Sequence, residues 1–461
     1  MMSHKDSNTA GRHHALNWLF DGLAEAVVPN SCDLVVLDGH LDRERLRAAI
    51  ASTLARHPVL CRPLGKAPSD AAPPAIDLRF QVLADDDPAR LDDHLLGLIW
   101  DEPFAPSSRP VRFLVTETPT RTYLQTIHTH VYADASACYA LTEQLAASYA
   151  QPHVTAPAQE THRQAADLFA TVPSLGERLR HHAHGLLQTA RDLFRAPAGL
   201  AVRSRRAAGR RRLSRICLSK AQTEQLRATA RGRGHSIHAF FQLAFLRAAA
   251  DFNQRRGVER SALRIWDFFS LRPLLEQGST RYDCLALIYP IDLDAAWSDD
   301  ETLARCTDNV SRMRSRDLLT HASRFESLRR LVPRQKLMRV WPSLFKSNVF
   351  VTNPGVCPSP LLSFGDVEVL DYVTFPQLFF PADVLFVFST FRDRLRILVL
   401  HDEAAFDPTF ADELLAPFLR KLSELGKVEL SPQDLLPGFV ASWLPLPQSQ
   451  PARNPSFKRS A

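Results

Sequence analysis

The stretch "IHTHVYADASACYAL", Ile127–Leu141, contains a change of hydrophobic period. The residues that lead into it, "RTYLQTIHTH", are rich in branched and aromatic types and predict a strand that ends near His130. The residues that follow, "DASACYALTEQLAASYA", place apolar side chains at helical spacing. Asp134 stands where the N-cap of that helix is expected. The sequence therefore predicts a strand-to-helix turn that holds His130 and Asp134 four residues apart.

This pair suits proton transfer. A neutral imidazole, with an ordinary pKa of about 6.5, accepts a proton at physiological pH if it reaches within about 3 Å of the donor. Asp134 would fix the turn by capping the helix and pairing with a distant cation. The chain has no G-x-S-x-G elbow, so the chemistry would be direct attack of an acceptor on a thioester. From the residues alone, an ordinary structural turn remains the alternative.

Composition limits the other function classes. The 461 residues are too many for one simple core and indicate two or three domains. Neither a G-x-x-x-x-G-K-[ST] nor a G-x-G-x-x-G motif occurs. The 7 cysteines form no C-x-x-C pair, which argues against a disulfide framework and a structural zinc site and favours a reducing cytosol. We expect no metal site, and "RHHAHG" at 180–185 lacks a partner motif that would make it one.

The excess of positive charge is concentrated in one place. The formal net charge is +6, and "RSRRAAGRRRLSR", Arg203–Arg215, carries much of it. Such a run attracts phosphates, acidic carrier proteins, nucleic acid or anionic lipid, but a solvated linker is the favoured interpretation. No aromatic residues are interleaved with the run, so nucleic acid is not an expected partner.

No leader or membrane span is expected. The first residues, "MMSHKDSNTAGRHH", lack an apolar segment of the kind found in secretory signals. The most apolar late stretch, Leu378–Phe391, is too short to cross a bilayer and reads as a buried strand.

Capping signals and periodicity predict mixed α/β structure in both halves. A helix is expected after Asp42 and should end before Pro58. In the second half, Ser219 and Gln222 form a capping box, and Ser236 caps a strongly apolar helix. Strands such as "LRIWDFF", "NVFVTNPG", "VEVLDYVTF" and "RLRILVLHD" follow.

The segment "HTHVYADASACYAL" resembles the H-H-x-x-x-D-G signature of the condensation-domain and chloramphenicol-acetyltransferase-like acyltransferases. Weaker similarities follow in the family's order, from about residue 30 to 425: "LDRERLRAAIASTLARHPVLCRPL", "EPFAPSSRPVRFLV", "RICLSKAQTEQLRATARGRGHSIHAFFQLAFLRAAA", "SLRPLL", "VFVTNPG" and "LSFGDVEVLDY". Three positions differ from the signature. Thr129 replaces the first histidine, Ala135 replaces the glycine, and Ala137 replaces a serine, with Ser136 one place earlier. Members that keep only H-x-x-x-D also lack the first histidine.

The resemblance implies roles for individual residues. His130 takes the position of the general base, and Asp134 that of the structural aspartate. Arg272 in "SLRPLL" is the candidate for the arginine that pairs with the aspartate, and Arg62 is its rival. Three further residues are candidates for the tunnel lining: Ser136, His128, which otherwise packs, and Asn353, which otherwise turns the chain.

The resemblance also implies the architecture: α/β, with two chloramphenicol-acetyltransferase-like subdomains in a V around a central tunnel. The expected divisions are an N-terminal subdomain at 1–165 with the histidine motif, a basic crossover connector at 166–212, a C-terminal subdomain at 213–443 and a disordered tail at 444–461.

The implied function is that of a stand-alone acyltransferase of secondary metabolism that moves an acyl group from a thioester to a hydroxyl or amine by general-base catalysis. No cofactor is expected to bind tightly, and acyl-CoA or an acyl-phosphopantetheine carrier protein is the co-substrate. The partners are this donor and a small-molecule acceptor, and the chain is expected to be a cytoplasmic monomer. The alternative is a catalytically degenerate binding module that recruits a carrier protein or partner enzyme. A basic nucleic-acid binder is the weakest reading.

Overall fold

The computed structural model describes residues 30–63, 75–100, 104–105, 107–151, 174–194, 197–203, 211–272, 282, 284–313, 320, 336, 346–378, 381–430 and 435–437. Strands and helices are intermixed along the chain. The first set of elements is β1 (Asn30–Asp38), α1 (Arg43–Ala55), β2 (Leu78–Val82), α2 (Pro88–Trp100), β3 (Val111–Glu117), β4 (Arg121–Thr129), α3 (Ala135–Ala150) and α4 (Leu175–Phe194). The second set is β5 (Arg211–Cys217), α5 (Lys220–Gly232), α6 (Ile237–Arg255), β6 (Ala262–Ser270), β7 (Ala286–Asp294), α7 (Asp299–Met313), β8 (Val349–Val356), β9 (Ser363–Phe364), β10 (Val367–Pro376), β11 (Val384–Phe391), β12 (Arg394–Asp402), α8 (Ala416–Gly426) and β13 (Leu435–Pro437).

One sheet combines early and late parts of the chain. Its strand order is β2-β3-β4-β1-β10-β9. The central strand β1 pairs antiparallel with β4 on one side and with β10 on the other. All residues of β1 except Asp38 are buried, and they include the polar side chains of Asn30, Ser31 and Asp33. The addition of β9 and β10 ties a segment from the second half of the chain to the first sheet.

The other sheet is built from the second half of the chain. Its strand order is β13-β5-β12-β11-β8-β6-β7. The sheet is mixed, because β8 runs parallel to both β6 and β11 whereas the β11–β12 and β6–β7 pairs are antiparallel. All eight residues of β11 are buried, which confirms that the apolar late stretch is a strand.

The two sheets face each other across a shared apolar core. Cys32 and Ile127 of the first sheet belong to the same cluster as Trp266 and Val387 of the second. The outer face of the first sheet packs on α1 and α3, and that of the second on α5, α6 and α8. Helix α2 packs on the inner side instead, since Leu91, Leu95 and Ile99 belong to the shared core. Both sheets are thus packed against helices, and the predicted α/β class is confirmed. None of the described helices has the length and apolar character that a bilayer span requires.

The basic run does not remain solvated to its end. Residues 204–210 lie outside the described part of the chain, but Arg211–Arg215 form the first half of β5. Arg212 forms an ion pair with Glu403. Arg215 is buried, and its Nη2 donates to Asp371 Oδ2 of β10 at 2.5 Å. The linker interpretation is therefore wrong for Arg215, because a buried carboxylate across the sheet interface compensates its charge.

The predicted helix caps are confirmed. Asp42 accepts from the backbone N–H of Arg45 at 2.7 Å, and Ser236 accepts from that of Ala239. At the start of α5, Ser219 Oγ accepts from the Gln222 N–H at 3.1 Å, and Gln222 Oε1 accepts from the Ser219 N–H at 2.7 Å. This reciprocal pair is the capping box expected from the sequence.

We expect Ser219→Ala to lower the free energy of unfolding by about 1 kcal/mol, because the Gln222 N–H loses its side-chain acceptor. Ser219→Asn should retain nearly full stability, since asparagine also caps helices well. Urea denaturation followed by circular dichroism measures both. Equal stability of the wild type and the alanine variant would contradict the assigned cap.

Candidate active site

The strand-to-helix turn lies at the junction of the two sheets. The strand β4 delivers Thr129 to the end of the first sheet, and α3 begins at Ala135. His130 lies directly after the strand and is 8% exposed. It borders a cavity of about 150 Å³, which Asp134 and Ser136 also line. The turn therefore presents three of the predicted residues to one open space.

The cavity has walls from both sheets. Phe268 and Phe269 of β6 and Phe375 of β10 supply apolar surface. Ser31 and Thr374, which carry hydroxyl groups, line the same cavity. Such a mixture of apolar surface and a few polar groups is typical of a small-molecule site. Sequence reasoning did not single out the three phenylalanines, because buried aromatic residues in strands usually serve only the core.

One hydrogen bond fixes the tautomer of His130. Its Nδ1 lies 2.7 Å from the carbonyl oxygen of Ala133, in the same turn. A carbonyl oxygen can only accept, so Nδ1 carries the proton and the lone pair is on Nε2. Burial lowers the pKa of His130, and the Ala133 carbonyl and the charge of Asp134 oppose this shift. The neutral ring is thus held with Nε2 as its proton acceptor.

Asp134 connects the turn to the second half of the chain. Its Oδ1 accepts from the Ala137 N–H at 2.8 Å, which caps α3, and from Arg272 Nη2 at 2.7 Å. Its Oδ2 accepts from the Leu285 N–H at 2.9 Å. Arg272 follows β6 and Leu285 precedes β7, so one carboxylate holds the histidine turn against the β6–β7 connection. Arg62 is exposed beyond the short helix Pro58–Cys61, and no contact with Asp134 is among those the structure describes for it.

The remaining candidates differ in their surroundings. Asn353 lines the cavity and also turns the chain, since its Oδ1 accepts from the Gly355 N–H at 3.0 Å. His128 is fully buried and packs behind the strand, where its Nδ1 lies 2.5 Å from Tyr282 Oη. It does not border the cavity formed by the described residues, because α3 covers that face of β4. Of its two predicted roles, the structure shows packing.

Two contacts of the site had no sequence signal. Leu285 acts through its backbone N–H, which any residue other than proline supplies. Cys284 places its sulfur 3.8 Å from His130 Nδ1, although the two residues are far apart in the sequence. Cys284 and Leu285 are more than 150 residues from the histidine turn in the sequence, and they meet it only in the folded chain.

Solved structures share this architecture across nearly the whole chain. Trichothecene 15-O-acetyltransferase from Fusarium sporotrichioides matches with a TM-score of 0.68 and 10% identity, covering 91% of this chain and 95% of its own. The starter condensation domain of rhizomide synthetase, in complex with C8-CoA and Leu-SNAC, matches with a TM-score of 0.64 and 17% identity, covering 93% and 96%. The chain has the condensation-domain fold.

This fold serves more than one reaction. The epimerization domain from the third module of tyrocidine synthetase B also matches, with a TM-score of 0.66 and 16% identity, covering 90% of this chain and 97% of its own. No protein-family model and no curated protein sequence matches the chain. The condensation-domain fold and the two-subdomain class inferred from the histidine motif are therefore confirmed, while the reaction must be argued from the site itself.

Proposed function

We propose that the chain is an acyltransferase that moves an acyl group from a thioester to a hydroxyl or amine acceptor, with His130 as the general base. The observation that carries this proposal is the cavity beside a histidine whose Nδ1–H is bound to the Ala133 carbonyl. The open space admits a reactant to the ring, and the hydrogen bond leaves Nε2 as the basic atom. A ring enclosed by packed side chains would have supported only a structural role.

The proposed reaction balances without a covalent enzyme intermediate. The acceptor O–H or N–H gives its proton to His130 Nε2 while its oxygen or nitrogen attacks the thioester carbonyl carbon. The tetrahedral intermediate collapses by breaking the C–S bond, and the departing thiolate takes the proton from the imidazolium. The donor is acyl-CoA or an acyl-phosphopantetheine carrier. The rhizomide synthetase domain, which shares the fold, was solved with C8-CoA, and this supports a thioester donor.

Asp134 and Arg272 have a positioning role in this proposal. They contact each other, at 2.7 Å between Asp134 Oδ1 and Arg272 Nη2. Their contact holds the turn that contains Ala133, and the Ala133 carbonyl orients the His130 ring. Ser136 and Asn353, which line the cavity, are proposed to contact substrate.

Several wider expectations remain part of the proposal. They include the subdomain bounds at 1–165, 166–212 and 213–443, the tail at 444–461, action as a monomer, a cytoplasmic location and a place in secondary metabolism. A tunnel that runs through the molecule, with donor and acceptor entering from opposite faces, is proposed as an extension of the described cavity.

A thioester panel tests the function directly. The purified chain is incubated with acyl-CoA and acyl-pantetheine donors of increasing length, each with pooled hydroxyl and amine acceptors, and release of free thiol is followed. We expect thiol release that depends on both an acceptor and folded protein. Saturable binding of a carrier protein, with no thiol release from any donor, would instead support the degenerate binding module.

A further inference from the structure

A group of metal-ligand side chains lies behind the histidine turn. Asp33 of β1, His128 of β4 and Cys138 of α3 are each 0% exposed. In the β1–β4 register, Asp33 is opposite Thr126 and Ser31 is opposite His128, so Asp33 and His128 are diagonal neighbours on one face. The first turn of α3 covers this face and brings Cys138 to it. One oxygen, one nitrogen and one sulfur thereby lie within 4.8 Å of one another.

We propose that Asp33, His128 and Cys138 bind a zinc ion that joins β1, β4 and α3. A protein zinc site takes thiolate, imidazole and carboxylate ligands at about 2.0–2.3 Å, so its ligand atoms lie about 3.3–3.8 Å apart. His128 Nε2 and Asp33 Oδ2 are 3.6 Å apart, within this window. That separation is too long for a hydrogen bond but suits two atoms that share a metal.

Unsatisfied polar atoms point into the group. Within the described part of the chain, neither Asp33 Oδ1 nor His128 Nε2 has a hydrogen-bond partner. A buried carboxylate oxygen without a donor is unfavourable, and a buried ring nitrogen without a partner adds to that cost. A divalent cation compensates both atoms at once.

The outer contacts match those of metal ligands. A histidine ligand usually gives its other ring N–H to an acceptor, and a carboxylate ligand usually accepts a further hydrogen bond. His128 Nδ1 lies 2.5 Å from Tyr282 Oη. Thr142 Oγ1 donates to Asp33 Oδ2 at 3.1 Å. The ring is therefore held through the nitrogen opposite Nε2, and the carboxylate is held through Oδ2, the oxygen that lies 3.6 Å from His128 Nε2.

Charge and ligand type favour zinc. When the ion binds, Cys138 loses its thiol proton to solvent, and thiolate plus carboxylate balance the two positive charges. A mixed thiolate and imidazole set suits zinc better than magnesium or calcium, which prefer oxygen ligands. Ser31 Oγ lies 3.9 Å from Cys138 Sγ and also borders the cavity, so Ser31 separates the zinc site from the space beside His130.

Cysteine spacing could not show this site. The absence of a C-x-x-C pair argued against structural zinc, but that argument applies only to ligands from one local motif. Here the three ligands come from two strands and a helix. The group is fully buried, so the proposed ion would have a structural role, with a fourth coordination position beyond the three side chains.

The test measures metal directly and does not require acyl transfer, so it is independent of the proposed function. The full chain is purified, passed through a chelating column and analysed for zinc by mass spectrometry. A second sample is unfolded with chelator and refolded with cobalt(II), whose thiolate complex absorbs in the near ultraviolet. We expect close to one zinc ion per chain and a thiolate-to-cobalt band.

Matched variants assign the ligands. Cys138→Ser should abolish the thiolate-to-cobalt band, and both Cys138→Ser and His128→Gln should abolish zinc retention. Cys32→Ser should keep the band and the zinc. Cys32 is an equally buried thiol next to Asp33 in β1, but it belongs to the core between the sheets. Folded wild-type protein with neither zinc nor a cobalt band would overturn the proposal and leave Asp33 and His128 as a metal-free buried pair. A Cys138→Ser protein that keeps the band would overturn it as well.

Discussion

Replacing His130 by alanine is expected to lower the rate of acyl transfer about 10²–10⁴-fold, the usual contribution of a positioned general base. The substitution removes the imidazole that lines the cavity but leaves the Asp134 contacts to Arg272 and Leu285 in place. The fold should therefore be retained. Thiol release under saturating donor, measured beside circular dichroism and thermal melting, separates loss of chemistry from loss of structure.

The control for this variant is a second histidine that is not among the residues lining the cavity. His94 in α2 is partly buried, and its Nε2 lies 3.2 Å from Thr116 Oγ1. His94→Ala removes a similar ring and should keep the wild-type rate. A folded His130→Ala protein that transfers acyl groups at the wild-type rate would exclude His130 as the base, even if the chain proved to be an acyltransferase.

Local signals predicted the parts of the fold that depend on neighbouring residues. The caps at Asp42, Ser219 and Asp134 were readable because a side chain and its acceptor or donor lie within three residues of each other. The strand-to-helix turn followed from the change of period around His130. These features need no knowledge of distant contacts.

Long-range pairing was beyond the same reasoning. Nothing local indicates that β10 pairs with β1 rather than with its own sequence neighbours, since both are short apolar strands. Arg215 was assigned to a solvated run because its partner Asp371 is 156 residues away. The contact between Arg272 and Asp134 was anticipated only through the family resemblance, because charge alone did not distinguish Arg272 from Arg62.

The second large effect is expected at Asp134. Asp134→Ala should lower the free energy of unfolding by about 3 kcal/mol, since it removes a helix cap worth about 1 kcal/mol and a charged hydrogen bond worth about 1.5–3 kcal/mol. The variant also frees the turn that orients His130, so kcat should fall, although less than in His130→Ala. Urea denaturation and the transfer assay measure the two effects on the same preparation.

Asp42→Ala provides the matched control. Asp42 caps α1 through the Arg45 N–H at 2.7 Å but is exposed, whereas Asp134 caps α3 and also bonds Arg272 and Leu285. Its loss should cost only the cap, about 1 kcal/mol, and leave transfer unchanged. In a double-mutant cycle, Asp134→Ala and Arg272→Ala should couple by about 0.5–3 kcal/mol, as residues in direct contact do. The assigned role would be contradicted by additive effects, or by an Asp134→Ala cost no greater than that of Asp42→Ala. Either result would show that the Asp134 carboxylate only caps α3 and that other contacts hold the two halves of the chain together near His130.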